Sequence, residues 1–313
     1  MRYLVTGGAG FVGSHLCACL LSEGHDVTCV DNLRTGRREN LAELLGNDGF
    51  RLLELDIRDN LPLEGPVDCI FNLASPASPP HYQRDPLDTL LTNVEGTKHM
   101  LELARKCGAR FVQASTSEVY GNPLEEPQSE SYLGNVNPCG PRSCYDEGKR
   151  CAETLCYIYR ERHGVDVRVA RIFNTYGPHM SQDDGRVISN FVVQALLGKP
   201  LTVYGDGSQT RSFCYVSDTV RGLIALSRVD GPLFGPVNLG NPAEITVGEL
   251  ARRVIERIDP SLGVETHPLP ADDPLRRRPD ISLAKHKLGW EPTVGLDEGL
   301  TATISYFKEV LDA

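Results

Sequence analysis

Short apolar runs alternate along the chain with stretches whose apolar positions recur every three or four residues. Arg2–Thr6 reads as a buried strand, then a glycine-rich turn at 7–13, then a helix carrying Leu16, Leu20 and Leu21. Further strands are predicted at Asp26–Val30, Phe50–Leu55, Cys69–Ala74, Arg110–Ser115 and Val165–Arg171. Helical spacing is clear from Thr92 onward (Met100, Leu101, Leu103, Ala104) and again through Ala152, Leu155, Ile158 and Tyr159. This βαβα alternation with buried strands predicts an α/β doubly wound parallel sheet. After Asn174–Pro178 the rhythm changes. A helix at Val187–Leu197, a turn at Tyr204–Gln209, and amphipathic helices at Val247–Ile258 and Leu296–Val310 predict a smaller, discontinuous C-terminal α/β domain. Phe213–Leu226 reads as a strand and helix returning to the first unit. The expected division is 1–177 with 213–240, and 178–212 with 241–313.

The glycines at 7, 10 and 13 lie between a strand and a helix, where a backbone free of Cβ atoms lets a pyrophosphate approach the helix N-terminus. The second strand ends in Asp31, placed to accept ribose hydroxyls and to repel a 2′-phosphate. The pattern is that of a Rossmann domain binding NAD rather than NADP, although Arg34, Arg37 and Arg38 follow closely. Tyr145 and Lys149 stand four apart, on one face of the predicted helix. A nearby ammonium lowers a phenol's pKa, making Tyr145 a candidate general base. By itself Tyr-x-x-x-Lys is a weak signal, common in helices.

A net charge of −10 over 313 residues argues against a reader of nucleic-acid backbones. The ten cysteines include no Cys-x-x-Cys pair, and several sit in apolar runs, as buried free thiols of a reducing cytoplasm do. The histidines lack ligand spacing, so no metal is expected. No apolar run reaches membrane-spanning length and the chain opens directly into a strand, so a cytoplasmic protein without signal peptide or membrane partner is expected.

Several segments together resemble the extended short-chain dehydrogenase/reductase family over nearly the whole chain. They are Thr6–Gly13, Asp31-Asn32, Asn72–Ala74, Thr116–Gly121, Tyr145-x-x-x-Lys149 and Leu288–Pro292. Ala74–Pro80, Asn137–Arg150, Ala170–Pro178, Asp184–Val187 and Gln209–Phe213 narrow the resemblance to its UDP-glucuronate decarboxylases. The resemblance implies that Tyr145, assisted by Thr116, takes the C4 hydroxyl proton while NAD takes the hydride. The 4-ketone then loses carbon dioxide, C5 is protonated, and the hydride returns to give UDP-xylose, with some UDP-4-keto-pentose as a possible released product.

It further implies cofactor contacts from Gly7, Gly10, Phe11, Val12, Gly13, Asp31, Asn32, Asp56, Ile57, Leu73, Ala74, Thr92, Tyr145, Lys149, Thr175 and Arg186. Contacts to the UDP-sugar are implied for Ser78, Tyr82, Thr116, Asn174, Tyr204, Gln209, Arg211 and Arg276, and catalytic roles for Glu118 and Arg211. Ser117 stands where dehydratases of this fold carry Asp, so the acid that would protonate a departing hydroxyl is missing. His179 departs from the arginine expected after Gly-Pro. A homodimer is implied by the family alone. Two alternatives stay open: a nucleotide-sugar 4-epimerase, which needs no Glu118, and a non-catalytic NAD-binding regulator.

Overall fold

The computed structural model describes residues 1–63, 65–233, 235–269 and 276–312. Its centre is a seven-stranded sheet. In chain order the first six strands are β1 (Arg2–Thr6), β2 (Asp26–Val30), β3 (Phe50–Leu53), β4 (Cys69–Asn72), β5 (Arg110–Thr116) and β6 (Val167–Ile172). The seventh, Pro236–Leu239, joins beside β6, giving the order seventh-β6-β5-β4-β1-β2-β3. Every pairing is parallel, with Tyr3 opposite both Val27 and Cys69. Chain direction across the sheet reverses between β1 and β4, and a doubly wound sheet opens its ligand crevice at that switch point.

Helices cover both faces, so the central strands are apolar throughout rather than alternating. On one face, α1 (Phe11–Ser22) and the Val216–Arg228 helix bury Leu16, Leu20, Leu223 and Trp290. On the other, the Thr97–Cys107 and Ser143–His163 helices bury Met100, Leu101, Cys156 and Tyr159 against Phe111. A further apolar cluster joins the helices Val187–Leu196, Val247–Ile258 and Leu296–Asp312 through Phe191, Val192, Leu250, Val254 and Phe307. Among the described residues, no helix is long and apolar enough to cross a membrane.

The Pro-rich stretch after β4 leaves the strand as an irregular segment through residue 78. It then folds into two short helices, Pro79–Arg84 and Pro86–Leu91, each beginning on a proline. Proline suits the first helical position because the missing N–H has no partner there anyway. Asp85 caps the second by accepting the Asp88 N–H. The expected helix at Thr92 starts with a π-helical turn, Thr92–Gly96, where Gly96 lets Ile57 pack against the backbone.

Candidate active site

All the candidate residues except Arg276 line one cavity of about 790 Å³, which opens at the C-terminal ends of β1, β4 and β5. The glycine turn forms its floor. Gly7 has φ +68°, and a Cβ there would lie 2.8 Å from the Ala74 nitrogen. A Cβ on Gly10 would meet only the Gly7 carbonyl, so that face of the turn is bare backbone bordering the cavity. Gly10 caps α1 without any side-chain hydrogen bond, and the first turn carries no acid. The exposed N–H groups and helix dipole therefore fit an anionic group such as a pyrophosphate. The switch-point strands are strapped together below. Thr6 Oγ1 donates to Asn72 Oδ1 at 2.8 Å and accepts the Leu73 and Ala74 N–H groups, while Asn72 donates to Gln113 Oε1 at 2.9 Å.

Asp31 is buried, with its carboxylate accepting the Ala9 and Leu33 N–H groups at 2.9 Å each. Burial raises its pKa, partly offset by those N–H bonds. The three arginines that follow are engaged elsewhere. Arg34 pairs with Asp85 and Asp88, Arg38 with Glu54, and Arg37 donates to Asn40 and Tyr306. Asn32 donates to Asp56, whose carboxyl is held near 2, chiefly by Arg58. This wall fits an adenosine whose ribose carries free hydroxyls.

Opposite, the end of β5 delivers Thr116, Ser117 and Glu118, and the Ser143–His163 helix delivers Tyr145 and Lys149. Thr116 hydrogen-bonds the Tyr145 phenol. Tyr82 stacks on Tyr145 with ring centroids 5.1 Å apart and planes 6° from parallel. Lys149 Nζ donates to the Ala114 carbonyl at 3.0 Å and lies 5.7 Å from the Tyr145 ring centroid. One expectation fails here. Burial pushes the Tyr145 pKa well above that of an ordinary phenol, more than the Thr116 hydrogen bond lowers it. Lys149 does not reverse this, because its own burial pulls it down to about 8 and its ammonium is aimed at a carbonyl.

Glu118 lies at the centre of an ion-pair cluster. It accepts from Arg142 and, at 3.2 Å, from Arg277 Nη2. Burial alone would raise its pKa, but Arg277, Arg142 and Arg211 together hold it near 2. Arg277 is buried and also donates to the Ser117 and Gly121 carbonyls. Its neighbour Arg276, the sequence candidate, points away with its side chain 71% exposed and pairs with Glu126 at 3.0 Å. The basic run thus supplies a site arginine one residue later than expected. Arg142 and His179 also line the cavity; Arg142 lies within the Asn137–Arg150 motif segment but was not singled out there, and His179 was marked only by its unusual identity.

On the remaining wall, Ser78 Oγ hydrogen-bonds His81 Nδ1 at 3.0 Å, and Arg186 grips Asp184 through two hydrogen bonds. Gln209 donates to the Tyr204 carbonyl at 2.6 Å, and Arg211 to that of Thr210 at 2.9 Å. Asn174 and Thr175 continue the wall beyond β6. Together these groups present a dinucleotide crevice, a phenol with a hydrogen-bonded hydroxyl, and a charged cluster within one cavity.

Known proteins match this arrangement. The chain is 58% identical to UDP-glucuronic acid decarboxylase 1 of Arabidopsis thaliana over 308 residues, covering 98% of this chain and 70% of the relative. It is 55% identical to UDP-glucuronic acid decarboxylase 1 of Danio rerio, covering 99% and 73% respectively. Among solved structures, the UDP-glucuronic acid 4-epimerase of Bacillus cereus, in complex with UDP-glucuronic acid and NAD, superposes with a TM-score of 0.90 at 28% identity, covering 99% of this chain and 100% of that one. The dTDP-glucose 4,6-dehydratase of Streptomyces venezuelae, solved with NAD, gives 0.89 at 31% identity, covering 99% and 97%. Residues 3–240 match the family described as NAD dependent epimerase/dehydratase, and with these relatives spanning nearly its whole length the chain belongs to that family.

Proposed function

We propose that this protein converts UDP-glucuronate to UDP-xylose and carbon dioxide with NAD as resident cofactor. The observation that carries the reading is the Glu118–Arg277–Arg142 cluster beside Tyr145, built on the buried Arg277, with Ser117 where dehydration would need an acid. Named decarboxylase relatives at 55–58% identity support it.

The cofactor would be held by the Gly7–Gly13 turn, Asp31, Asp56 and Lys149, and when bound it supplies reversible oxidation at the sugar C4. Tyr145 accepts the C4 hydroxyl proton, relayed through or steadied by Thr116. Burial favours the protonated phenol, so Tyr145 acts as base only from its phenolate form, which the ammonium of Lys149 and the positive charge of the bound oxidised cofactor would favour, and in the returning step the phenol gives the proton back to the C4 oxygen. The 4-ketone lies β to the C6 carboxylate. The C5–C6 bond can then break with its electron pair delocalised into an enolate, releasing carbon dioxide. Glu118, held ionised, is no proton donor near neutral pH; it fixes Arg142 and Arg277 and adds negative charge next to the departing carboxylate. Arg211 on the same wall is the proposed partner of the substrate's carboxylate or diphosphate.

The segments 1–177 with 213–240 and 178–212 with 241–313 are proposed as the cofactor and sugar-nucleotide units, since the Phe191–Phe307 cluster is packed separately and the cavity takes residues from both. A homodimer is proposed from family likeness, to be checked by light scattering. A 4-epimerase is the second reading, favoured by the Bacillus cereus likeness. Incubation with UDP-glucuronate decides. Carbon dioxide and a UDP-pentose support the proposal, and a UDP-hexuronate epimer without carbon dioxide replaces it.

A further inference from the structure

His179 is a cavity residue for which neither the sequence nor the mechanism supplies a role. It holds a left-handed backbone, φ 67°, which costs a residue with a Cβ and persists only where surroundings enforce it. Two hydrogen bonds fix its tautomer. Ser14 Oγ donates its single proton to the Phe11 carbonyl at 3.0 Å, so at 2.9 Å from His179 Nδ1 it must accept. Nδ1 therefore carries the hydrogen, and in the neutral ring Nε2 is a bare lone pair. No partner of Nε2 is found among the described residues, and His179 borders the cavity.

The surroundings are cationic or neutral. From α1, His15 stacks on the ring with centroids 4.6 Å apart, its own Nε2–H donated to the Pro178 carbonyl at 3.0 Å. From the segment after β2, Arg37 also lines the cavity. Its guanidinium donates only to neutral groups, Tyr306 Oη at 2.6 Å and Asn40 Oδ1 at 3.3 Å. From the Leu296–Asp312 helix, the Tyr306 phenol packs 5.7 Å from the His179 ring. Across the Phe11 ring lies Arg186, its charge matched by Asp184. Arg37 thus has no carboxylate partner among the described residues, and the acid-free N-terminal turn of α1 is adjacent. An uncompensated guanidinium, an imidazole and a bare helix start on one wall are complementary to a phosphate.

We propose that Arg37 and His179 form a phosphate-binding wall of the dinucleotide site, and that His179 meets the cofactor's diphosphate by taking up a solvent proton on Nε2. A lone pair facing a phosphate oxygen is repulsive, whereas the protonated ring donates to it. Without an anion, burial, His15 and Arg37 hold the His179 pKa near 4, so at neutral pH the ring starts uncharged. An anion opposite Nε2 raises that pKa, and binding is then linked to proton uptake. An arginine at this position would carry a permanent charge; histidine makes cofactor retention depend on pH.

This inference rests on a dinucleotide cofactor, not on the decarboxylation reading, and its test uses binding alone. ADP-ribose is titrated calorimetrically into the nucleotide-free full-length protein, in buffers of different ionisation enthalpy, from pH 5.5 to 8. The expected result is a net uptake of up to one proton near pH 6, with affinity rising by at most about tenfold per unit of acidification. His179→Asn, which tolerates the left-handed backbone, should abolish the uptake. His179→Arg should bind ADP-ribose about tenfold tighter than wild type at pH 8 and without pH dependence. UDP-glucose, whose diphosphate like that of ADP-ribose carries no titrating terminal phosphate, should show no uptake. Absence of uptake in the wild type, its persistence in His179→Asn, or its appearance with UDP-glucose in place of ADP-ribose would each overturn the assignment.

Discussion

Replacing Glu118 by Gln tests the charged cluster most sharply. The carboxyl's shift from its ordinary 4.5 to about 2 corresponds to roughly 3 kcal/mol of preference for the ionised form in the folded protein. Neutralising it leaves Arg277, buried, and Arg142 without their shared counter-charge, and breaking such a pair from one side costs about 3–5 kcal/mol. For a chain of 313 residues, a loss of 3 kcal/mol corresponds to a fall in Tm of about 5 °C. A depressed carboxyl pKa stabilises the fold above about 4.5 and ceases to do so as pH falls toward 2. The deficit should therefore be constant from pH 6 to 8 and shrink below 4.5. Thermal unfolding of Glu118→Gln, Arg277→Met and the double variant measures the coupling. The double variant should recover about 1–3 kcal/mol relative to the sum of the singles. Carbon dioxide release should stay defective in all three. An unchanged Tm in Glu118→Gln, or additivity in the double variant, would refute the cluster as described.

Tyr145→Phe should lower turnover by about 10²–10⁴-fold while NAD still binds, as read by turnover and by titration of the cofactor. NADP should bind on the order of 100-fold more weakly than NAD, because its 2′-phosphate meets the buried Asp31 carboxylate; equal affinities would remove Asp31 from cofactor choice. Asp146 is buried, its Oδ1 without a hydrogen-bond partner among the described residues, and burial and Glu118 push its carboxyl up to about 7. The unfolded chain releases that proton near 3.8, so the penalty grows between 3.8 and 7 and is complete above 7. Asp146→Asn should therefore raise stability by about 2–4 kcal/mol at pH 8 and by far less at pH 5, as denaturant titrations at the two pH values would show.

The local signals were legible where they depend on spacing. Glycines at 7, 10 and 13 must flank a strand and a helix wherever the rest of the chain goes, and Tyr145 with Lys149 must share a helix face. Two features depended on tertiary contacts instead, and a third on a local ambiguity. Nothing in Arg276–Arg278 marks the second as the buried one, since its burial is fixed by carbonyls of Ser117 and Gly121, more than 150 positions earlier. The sign of the Tyr145 shift follows from how deeply the helix seats the phenol against Tyr82, which periodicity does not report. The Pro79–Leu91 helices were hidden because proline punctuates loops and starts helices alike, and only the capping by Asp85 separates the two.

Redox-neutral decarboxylation in a single site leaves a signature that one labelling measurement reads. UDP-glucuronate deuterated at C4 is turned over by the NAD-loaded protein, with carbon dioxide, product mass and free NADH recorded together. The expected result is UDP-xylose retaining deuterium at C4, one carbon dioxide per product and no accumulation of NADH. A 4-epimer formed without carbon dioxide, or UDP-4-keto-pentose and NADH accumulating one for one with carbon dioxide, would contradict it.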